Sequence, residues 1–307
     1  MILLAEADEE AAAGVGIQWL IANAYDKIDA EFAINEGGFA NRLESGRVLY
    51  NIQTAEKIPT RVKLIARGTA GHGSVPRPDN PVVRLAQAVA RLAAADQPVR
   101  FNATTREYFR AVAKLPEYAE VSPLVAQLED PARSDAARRE LLRRQPFLAS
   151  MLATTVSPTM LQAGVKVNVI PTVAEAQIDV RRLPNETREE VIERFRKIID
   201  DAGIEMERAG AVARPATEPS SRTSALYLAM EQTLGAQPGN PVVLPMMIMG
   251  ATDGAELRAR GMGVYGIPLF PTAASERRAH GNDERVELAG FTRGVGLLRE
   301  VVRKVAE

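Results

Sequence analysis

The sequence predicts an α/β protein in which an open-sheet domain is interrupted by an inserted α+β domain. Strand and helix patterns alternate near both ends of the chain, as is typical of α/β domains. Between them, two runs of alternating apolar and polar residues precede an amphipathic helix and a further strand, the split-βαβ order of a ferredoxin-like domain. The 307 residues are enough for two domains, each with its own core.

The first part of the open-sheet domain is expected over residues 1–58. The short apolar run "MILLA" predicts a strand, and apolar residues at helical spacing from Ile17 to Ile28 predict a helix. The run "AEFAI" predicts a second strand, which ends at the turn sequence "NEGG".

The inserted domain is expected over residues 59–213. "RVKLIARGTAGHGSVP" predicts a strand and a glycine-rich loop, and "NPVVRLAQAVARLAA" predicts a helix with Asn80 as N-cap and Pro81 at its first position. A charged, helix-favouring stretch predicts a helical insertion within this domain. "GVKVNVIP" and "AEAQIDVRRLP" then predict an antiparallel pair, followed by the helix of "TREEVIERFRKIIDDAG" and the strand "IEMERAG".

The open-sheet domain is expected to resume over residues 214–307. Strand and helix alternate again through "VVLPMMIMGATDGAELRARG" and "GVYGIPL". The last segment predicts an amphipathic helix, whose apolar face should carry Val286, Phe291, Val295, Leu298 and Val302.

Composition excludes several kinds of partner. With 38 Lys and Arg against 39 Asp and Glu, the net charge is -1, and no polybasic block favours nucleic acid or an anionic membrane surface. No run is long enough for a membrane span and no signal-peptide pattern opens the chain, so we expect a cytoplasmic protein with a small ligand. Because the chain has no cysteine, His72, His280 and the carboxylates are its strong metal-ligand candidates.

Acidic residues stand near two predicted strand ends, where open α/β sheets bind their ligands. Asp8, Glu9 and Glu10 follow the first strand, and Glu36 follows the second. Adjacent glutamates could provide a metal ligand and a general base, with Mg or Ca as plausible as Zn. Alternatively, the first three acids favour the N-terminus of the following helix, and Glu36 is a solvated turn residue.

Four further residues each allow two interpretations. His72 in "TAGHGSVP" and His280 in "RRAHGNDERV" are either ligands or ordinary loop residues. Asp253 in "GATDGAEL" is either a site residue or a helix cap, with Glu256 completing a capping box. Arg181 is either a rim charge or a bidentate clamp for a carboxylate.

Taken in order, seven motifs resemble those of one enzyme family. "ADEE", "NEGG", "GHGSVP", "VNVIP", "DVRRLP", "GATDG" and "AHGNDERV" resemble the co-catalytic zinc metallopeptidases, which include aminoacylases, succinyl-diaminopimelate desuccinylases and carboxypeptidases. The nearest branch is the carboxypeptidase S or Gly-X carboxypeptidase type. The resemblance spans essentially the whole chain and implies a hydrolase that cleaves an amide next to a free carboxylate, in a small peptide or an N-acyl amino acid.

The resemblance also implies the catalytic and metal-binding residues. Glu9 corresponds to the general base, and Glu10 and His280 to the ligands of one zinc ion. Glu36 corresponds to a ligand of the second zinc ion. The inserted domain corresponds to the family's lid, and His72 corresponds to the lid residue that stabilises the oxyanion in the partner subunit's site, which implies a homodimer formed through the lid.

Substrate binding is implied at two places. Asn168 and Arg181 in the lid would hold the carboxylate of the substrate, for which the planar fork of arginine is suited. The loop that contains Gly250, Thr252 and Asp253 would contact the same end of the substrate.

One departure from the family lies at the start of the sequence. The family's upstream His-x-Asp motif and its metal-bridging Asp have no counterpart here. We therefore expect an N-terminally truncated member whose open-sheet domain is incomplete. The alternative function is a catalytically inactive dimerisation or interaction module that keeps the lid and has lost the metal centre.

Overall fold

The computed structural model describes residues 1–10, 14–210, 213–273, 276 and 278–307. Along the chain the strands are β1 Phe32–Asn35, β2 Phe39–Arg42, β3 Val48–Glu56, β4 Ile58–Pro59, β5 Val62–Arg67, β6 Gly71–His72, β7 Thr155–Ala163, β8 Val169–Ile170, β9 Val173–Arg182, β10 Ile204–Arg208, β11 Val242–Ile248, β12 Gly263–Gly266 and β13 Pro271–Ala273. The α-helices are α1 Ile17–Asn23, α2 Pro81–Ala94, α3 Ala103–Val112, α4 Ser122–Leu128, α5 Ser134–Arg144, α6 Pro146–Ser150, α7 Arg188–Ile199, α8 Ala225–Gly235, α9 Gly254–Arg258 and α10 Leu288–Ala306, and short 3₁₀ helices cover Tyr25–Lys27 and Pro116–Tyr118.

The chain forms two compact units. The first unit comprises Met1–Glu56, Phe101–Leu152 and Arg214–Glu307, and the second comprises Lys57–Arg100 and Ala153–Ala213. This division differs from the expected one in the helical segment, which groups with the first unit and not with the lid. Its contacts explain the difference, because Thr104 of α3 shares a buried 2.9 Å hydrogen bond with Thr54 of β3.

The first unit is built on a mixed sheet. Its strand order is β1-β12-β3-β2-β13, and β11 also pairs with β3. The pairs β1 with β12, β3 with β11 and β2 with β13 are parallel, whereas β2 is antiparallel to β3. One core cluster joins residues of the sheet to α8 and α10, including Tyr50, Ile52, Tyr227 and Leu297. The predicted α/β class is therefore confirmed for this unit.

The apolar face predicted for α10 is wrong by about one residue. The helix buries Gly290, Gly294, Leu297 and Val301, while Phe291 is 46% exposed. A Cβ atom at Gly294 would lie 2.5 Å from the ring of Phe270. The helix backbone therefore approaches Phe270 closely at a residue that has no side chain. Periodicity predicted the helix, but the glycines decide which face it buries.

The strand predicted for the opening run "MILLA" is also wrong. Residues 1–7 form no strand, and Met1 and Leu3 are almost fully exposed. An apolar run becomes a strand only where a neighbouring strand supplies hydrogen bonds, and β1 pairs instead with β12. The helix predicted after it is confirmed as α1 and the following 3₁₀ turn, since Ile17, Leu20 and Ile28 share one small core cluster.

The second unit has the predicted split-βαβ order, β5-α2-β7-β9-α7-β10. Its sheet runs β10-β5-β9-β7, with every pair antiparallel and β4 also pairing with β9. The inward residues of β9, from Ala174 to Val180, pack in one cluster with α2 and α7. Asn80 caps α2 as predicted by accepting a hydrogen bond from the Val82 N–H at 3.0 Å. The ferredoxin-like class is confirmed.

One strand of this unit lies elsewhere than predicted. The partner of β9 is β7, not "GVKVNVIP", in which only Val169 and Ile170 form a strand. Val165 and Val167 are fully exposed, so the alternation in that segment does not mark a buried face. Among the described residues, no helix combines the length and the apolar character needed to cross a membrane.

Candidate active site

An acidic cluster in the first unit gathers residues that are far apart in sequence. Arg214 Nη1 lies 2.9 Å from Asp253 Oδ1 and donates to the Thr252 carbonyl at 2.6 Å, and its Nη2 lies 3.7 Å from Glu9 Oε1. Glu9 also shares a side-chain hydrogen bond with Glu36. Of the predicted site residues, Glu9 and Asp253 therefore come together around one guanidinium, and Glu36 lies beside Glu9.

The cluster changes the protonation of its glutamates. Burial raises the pKa of Glu9 to about 7, and the charges of Glu36 and Asp253 add to the effect against the opposing charge of Arg214. Burial and a hydrogen bond to Asp253 likewise raise the pKa of Glu6 to about 7. Glu6, Glu9 and Asp253 share the charge of Arg214, and Glu6 and Glu9 therefore exchange protons near neutral pH.

Local structure places each member of the cluster. Glu36 follows β1 directly, and the turn after it depends on Gly37 and Gly38, whose φ angles of 101° and 69° favour glycine. Asp253 precedes α9 but makes no side-chain cap, because its carboxylate binds Arg214. The predicted capping box is therefore wrong, and Glu256 instead accepts a hydrogen bond from a glutamine side chain of α1.

The opening acids do not cap the helix that follows them. Helix α1 begins at Ile17 with Gly16 as its N-cap, and it has no acidic residue in its first turn. Asp8 accepts a weak 3.4 Å hydrogen bond from the Val15 N–H, ahead of the helix. Asp8 therefore lies beside the segment that leads into the helix but does not cap it.

A buried carboxylate that sequence reasoning missed supports the loop before α9. Glu56, the last residue of β3, accepts hydrogen bonds from the Thr252 N–H at 3.0 Å and from its hydroxyl at 2.8 Å. It also accepts from Arg258 at 2.7 Å and from Gln53 at 3.0 Å. Glu56 carries the same sequence signal as Glu36, an acidic residue at the end of a strand.

In the described part of the chain, the expected metal ligands do not form one metal-binding group. Throughout the described ranges, no group of three or more His, Asp or Glu residues is arranged to hold a metal ion. Glu10 and His280 are exposed, and within the same ranges neither makes a hydrogen bond or ion pair with the cluster. The described residues thus do not fit the two-zinc centre, because the cluster holds a guanidinium and lacks the two remaining predicted ligands.

The candidate residues of the second unit lie in a small two-stranded sheet. His72 of β6 pairs with Val169 of β8, and the Gly73 N–H donates to the Asn168 carbonyl at 2.8 Å. His72 and Asn168 are thus neighbours, and both are exposed. Ser74 contacts the imidazole of His72 through both its backbone N–H and its hydroxyl.

Arg181 lies on β9 with its side chain 28% exposed. Its Nε donates to Asp179 Oδ2 at 3.1 Å. One edge of the guanidinium is thus committed to a carboxylate within the unit. The contact fits the interpretation of Arg181 as a surface ion pair. It also leaves the other two guanidinium nitrogens able to bind a carboxylate.

Comparison with known proteins agrees with this fold. Residues 54–207 match the family model of the peptidase dimerisation domain. The chain is 26% identical over 305 residues to the N-fatty-acyl-amino acid synthase/hydrolase of Homo sapiens, covering 96% of this chain and 59% of that protein. It is 24% identical to human aminoacylase-1, covering 97% of this chain and 62% of that protein.

Solved structures share the fold at low sequence identity. An M20 family metallo-carboxypeptidase from Sulfolobus solfataricus aligns with a TM-score of 0.65 and 19% identity, covering 96% of this chain and 68% of that one. Human carnosine dipeptidase 1 aligns with a TM-score of 0.61 and 13% identity, covering 97% of this chain and 65% of that one.

Fold and sequence together define a peptidase-type α/β protein with an inserted dimerisation domain. The chain belongs to the M20 peptidase family. It spans about 59% of the length of the first curated relatives that it matches.

Proposed function

We propose that this chain acts as an amide hydrolase on small substrates with a free carboxylate, either peptides or N-acyl amino acids. The observation that carries the proposal is Glu9, a carboxylate whose pKa is raised to about 7 beside Glu36 and Asp253. A general base is most effective when its pKa lies near the working pH. The names of the relatives support the substrate class, since they include an aminoacylase and an N-fatty-acyl-amino acid hydrolase.

In this proposal Glu9 removes the proton from the attacking water. The backbone between Gly250 and Asp253 contacts the substrate, and Glu56 keeps Thr252 in place for that contact. The fixed geometry matters because a small displacement of a positioning group can slow a reaction greatly.

The lid supplies the second group of residues. His72 donates an N–H to the oxyanion of the tetrahedral intermediate, while Asn168 and Arg181 bind the substrate carboxylate. The family resemblance assigns His72 to the active site of a second subunit. The proposed enzyme is therefore a homodimer formed through its dimerisation domain.

Zinc is the cofactor that the family resemblance implies, with Glu10, Glu36 and His280 as proposed ligands. Among the described residues, these three do not form a group that could hold a metal ion. The roles proposed for this chain are therefore those of Glu9, His72 and the substrate-binding residues alone.

The lack of a metal-binding group among the described residues favours a second candidate function, a dimerisation module without catalysis. The second unit contains a complete split-βαβ sheet, and the strand β7 exposes Met160 and Leu161. Such a module needs the lid but not Glu9.

Hydrolysis of N-acyl amino acids by the purified chain, with and without added zinc, separates the two functions. We expect Glu9→Gln to lower the rate by roughly 10²-fold or more, the scale of a lost general base. The matched control is Glu44→Gln, which changes an exposed glutamate of the same unit and should leave the rate unchanged. Equal background rates in all three proteins, together with a dimer in solution, would instead support the module.

A further inference from the structure

The imidazole of His72 has a specific partner two residues along the chain. Nδ1 accepts a hydrogen bond from the Ser74 backbone N–H at 3.2 Å and lies 2.7 Å from the Ser74 hydroxyl oxygen. Within the described part of the chain, the other ring nitrogen, Nε2, has no hydrogen-bond partner. The two nitrogens of this ring are therefore in different environments.

The backbone contact favours one assignment of roles to the two nitrogens, and the Ser74 hydroxyl, 2.7 Å from Nδ1, can add a second donor to the same nitrogen. A backbone N–H can only donate, so the nitrogen that it faces must present a lone pair. In the neutral imidazole the proton then resides on the other nitrogen. Nδ1 is the acceptor and Nε2 is the donor.

The backbone that carries this contact is held on both sides. The Gly73 N–H donates to the Asn168 carbonyl at 2.8 Å, and the Val75 N–H donates to the His72 carbonyl at 2.9 Å. Further along, Asp79 accepts from the Thr69 N–H at 2.9 Å and pairs with a neighbouring arginine. Ser74 is thus presented to the ring by a turn with fixed hydrogen bonds at both ends.

We propose that Ser74 is a positioning residue that sets the tautomer of His72 and so keeps a proton on Nε2. The inference rests on the proposed function in that an oxyanion needs a donor from the lid, and a neutral histidine can donate only from its protonated nitrogen. Ser74 acts through His72 and does not itself contact the substrate.

Nitrogen NMR of the imidazole rings tests the inference without any enzyme assay. The chain has only two histidines, so His280→Gln assigns both rings, and His280 serves as the internal reference in every other spectrum. At a pH where the imidazole is neutral, we expect His72 to show the Nε2–H pattern. Ser74→Ala keeps the backbone N–H and loses the hydroxyl, and should shift the tautomer equilibrium of His72 by roughly fivefold, the size of one hydrogen bond.

Ser74→Thr retains the hydroxyl and should restore the wild-type spectrum of His72, with His280 unchanged throughout. Identical His72 spectra in the wild type, Ser74→Ala and Ser74→Thr would overturn the inference, as would an Nδ1–H pattern in the wild type. Hydrolysis rates provide the second readout, in which Ser74→Ala should lower kcat by at most about fivefold and leave KM in place. If the chain shows no hydrolysis but the spectra behave as expected, the proposed function fails while the role of Ser74 for His72 stands.

Discussion

The carboxylate of Glu56 accepts two hydrogen bonds from Thr252, one from the backbone N–H at 3.0 Å and one from the hydroxyl at 2.8 Å. The two residues are separated by 196 positions, so the end of β3 is tied to the loop before α9. That loop also places Asp253 against Arg214. The acidic cluster and its buried support therefore form one connected network in the first unit.

We expect Glu56→Gln to destabilise the first unit by about 3–5 kcal/mol. The substitution preserves the shape of the side chain but leaves the guanidinium of Arg258, 3% exposed, without its charged partner. It also turns an NH₂ group toward at least one of the N–H or O–H groups that now donate to the carboxylate. Urea unfolding would measure the change.

Glu44→Gln is the control for that experiment, because it makes the same chemical change on the surface of the same unit. Its effect should stay within about 0.5 kcal/mol. A Glu56→Gln protein as stable as the control would show that the ion pair with Arg258 is not needed.

The glycines of α10 offer a pair of substitutions with opposite effects. Gly294→Ala places a Cβ 2.5 Å from the ring of Phe270 and 3.0 Å from the Leu269 carbonyl, and should cost about 1–3 kcal/mol. Gly296→Ala has nothing within 4 Å and should stabilise the helix by about 0.5–1 kcal/mol. Thermal unfolding of both variants tests the buried face of the helix, and equal shifts of Tm would contradict it.

The raised pKa values of Glu6 and Glu9 predict how stability depends on pH. Between about pH 4.5 and 7 the folded state binds more protons than the unfolded state, because both folded-state pKa values are raised from 4.5 to about 7. Stability should therefore fall as the pH rises through this window. Replacing Glu9 by Gln should flatten the decline, by on the order of 2 kcal/mol across the window.

Urea unfolding at several pH values from 4.5 to 8 would measure that slope, with Glu44→Gln expected to keep the wild-type profile. Asp79 and Glu140, whose pKa values hydrogen bonds lower to about 2, act only at more acidic pH and do not confuse the result. A profile that is unchanged in Glu9→Gln would mean that Glu9 titrates normally.

Local signals in the sequence predicted the parts of the fold that depend on neighbouring residues. The N-cap Asn80 and Pro81 define the start of α2, and the alternation in β9 marks a strand with one buried face. The buried face of α10 was not predictable, since it depends on Gly294 meeting Phe270, which no periodicity encodes.

The candidate site likewise contains residues that the sequence predicts and residues that it does not. Glu36 could be found by rule, as an acidic residue at the end of a strand, whereas Glu9 follows no strand and Asp253 precedes α9. The structure brings these three residues into one region, while their roles stay predictions. Arg214 and Arg258 could not be found, because an arginine that pairs with a buried carboxylate looks like any surface cation in the sequence. Their partners are fixed only by tertiary structure.

Strand β7 lies at an edge of the sheet of the second unit. Strand β7 pairs with β9 on one side, and Leu161 is 62% exposed. Such an edge can pair with a second copy, and charged side chains, lysine above all, prevent that pairing. We expect Leu161→Lys to weaken a dimer formed through this unit, which sedimentation over a range of concentrations would detect. Val167→Lys is the control, because it changes a fully exposed valine of the same unit that lies outside β7. If both variants stay as dimeric as the wild type, the dimer forms through another surface.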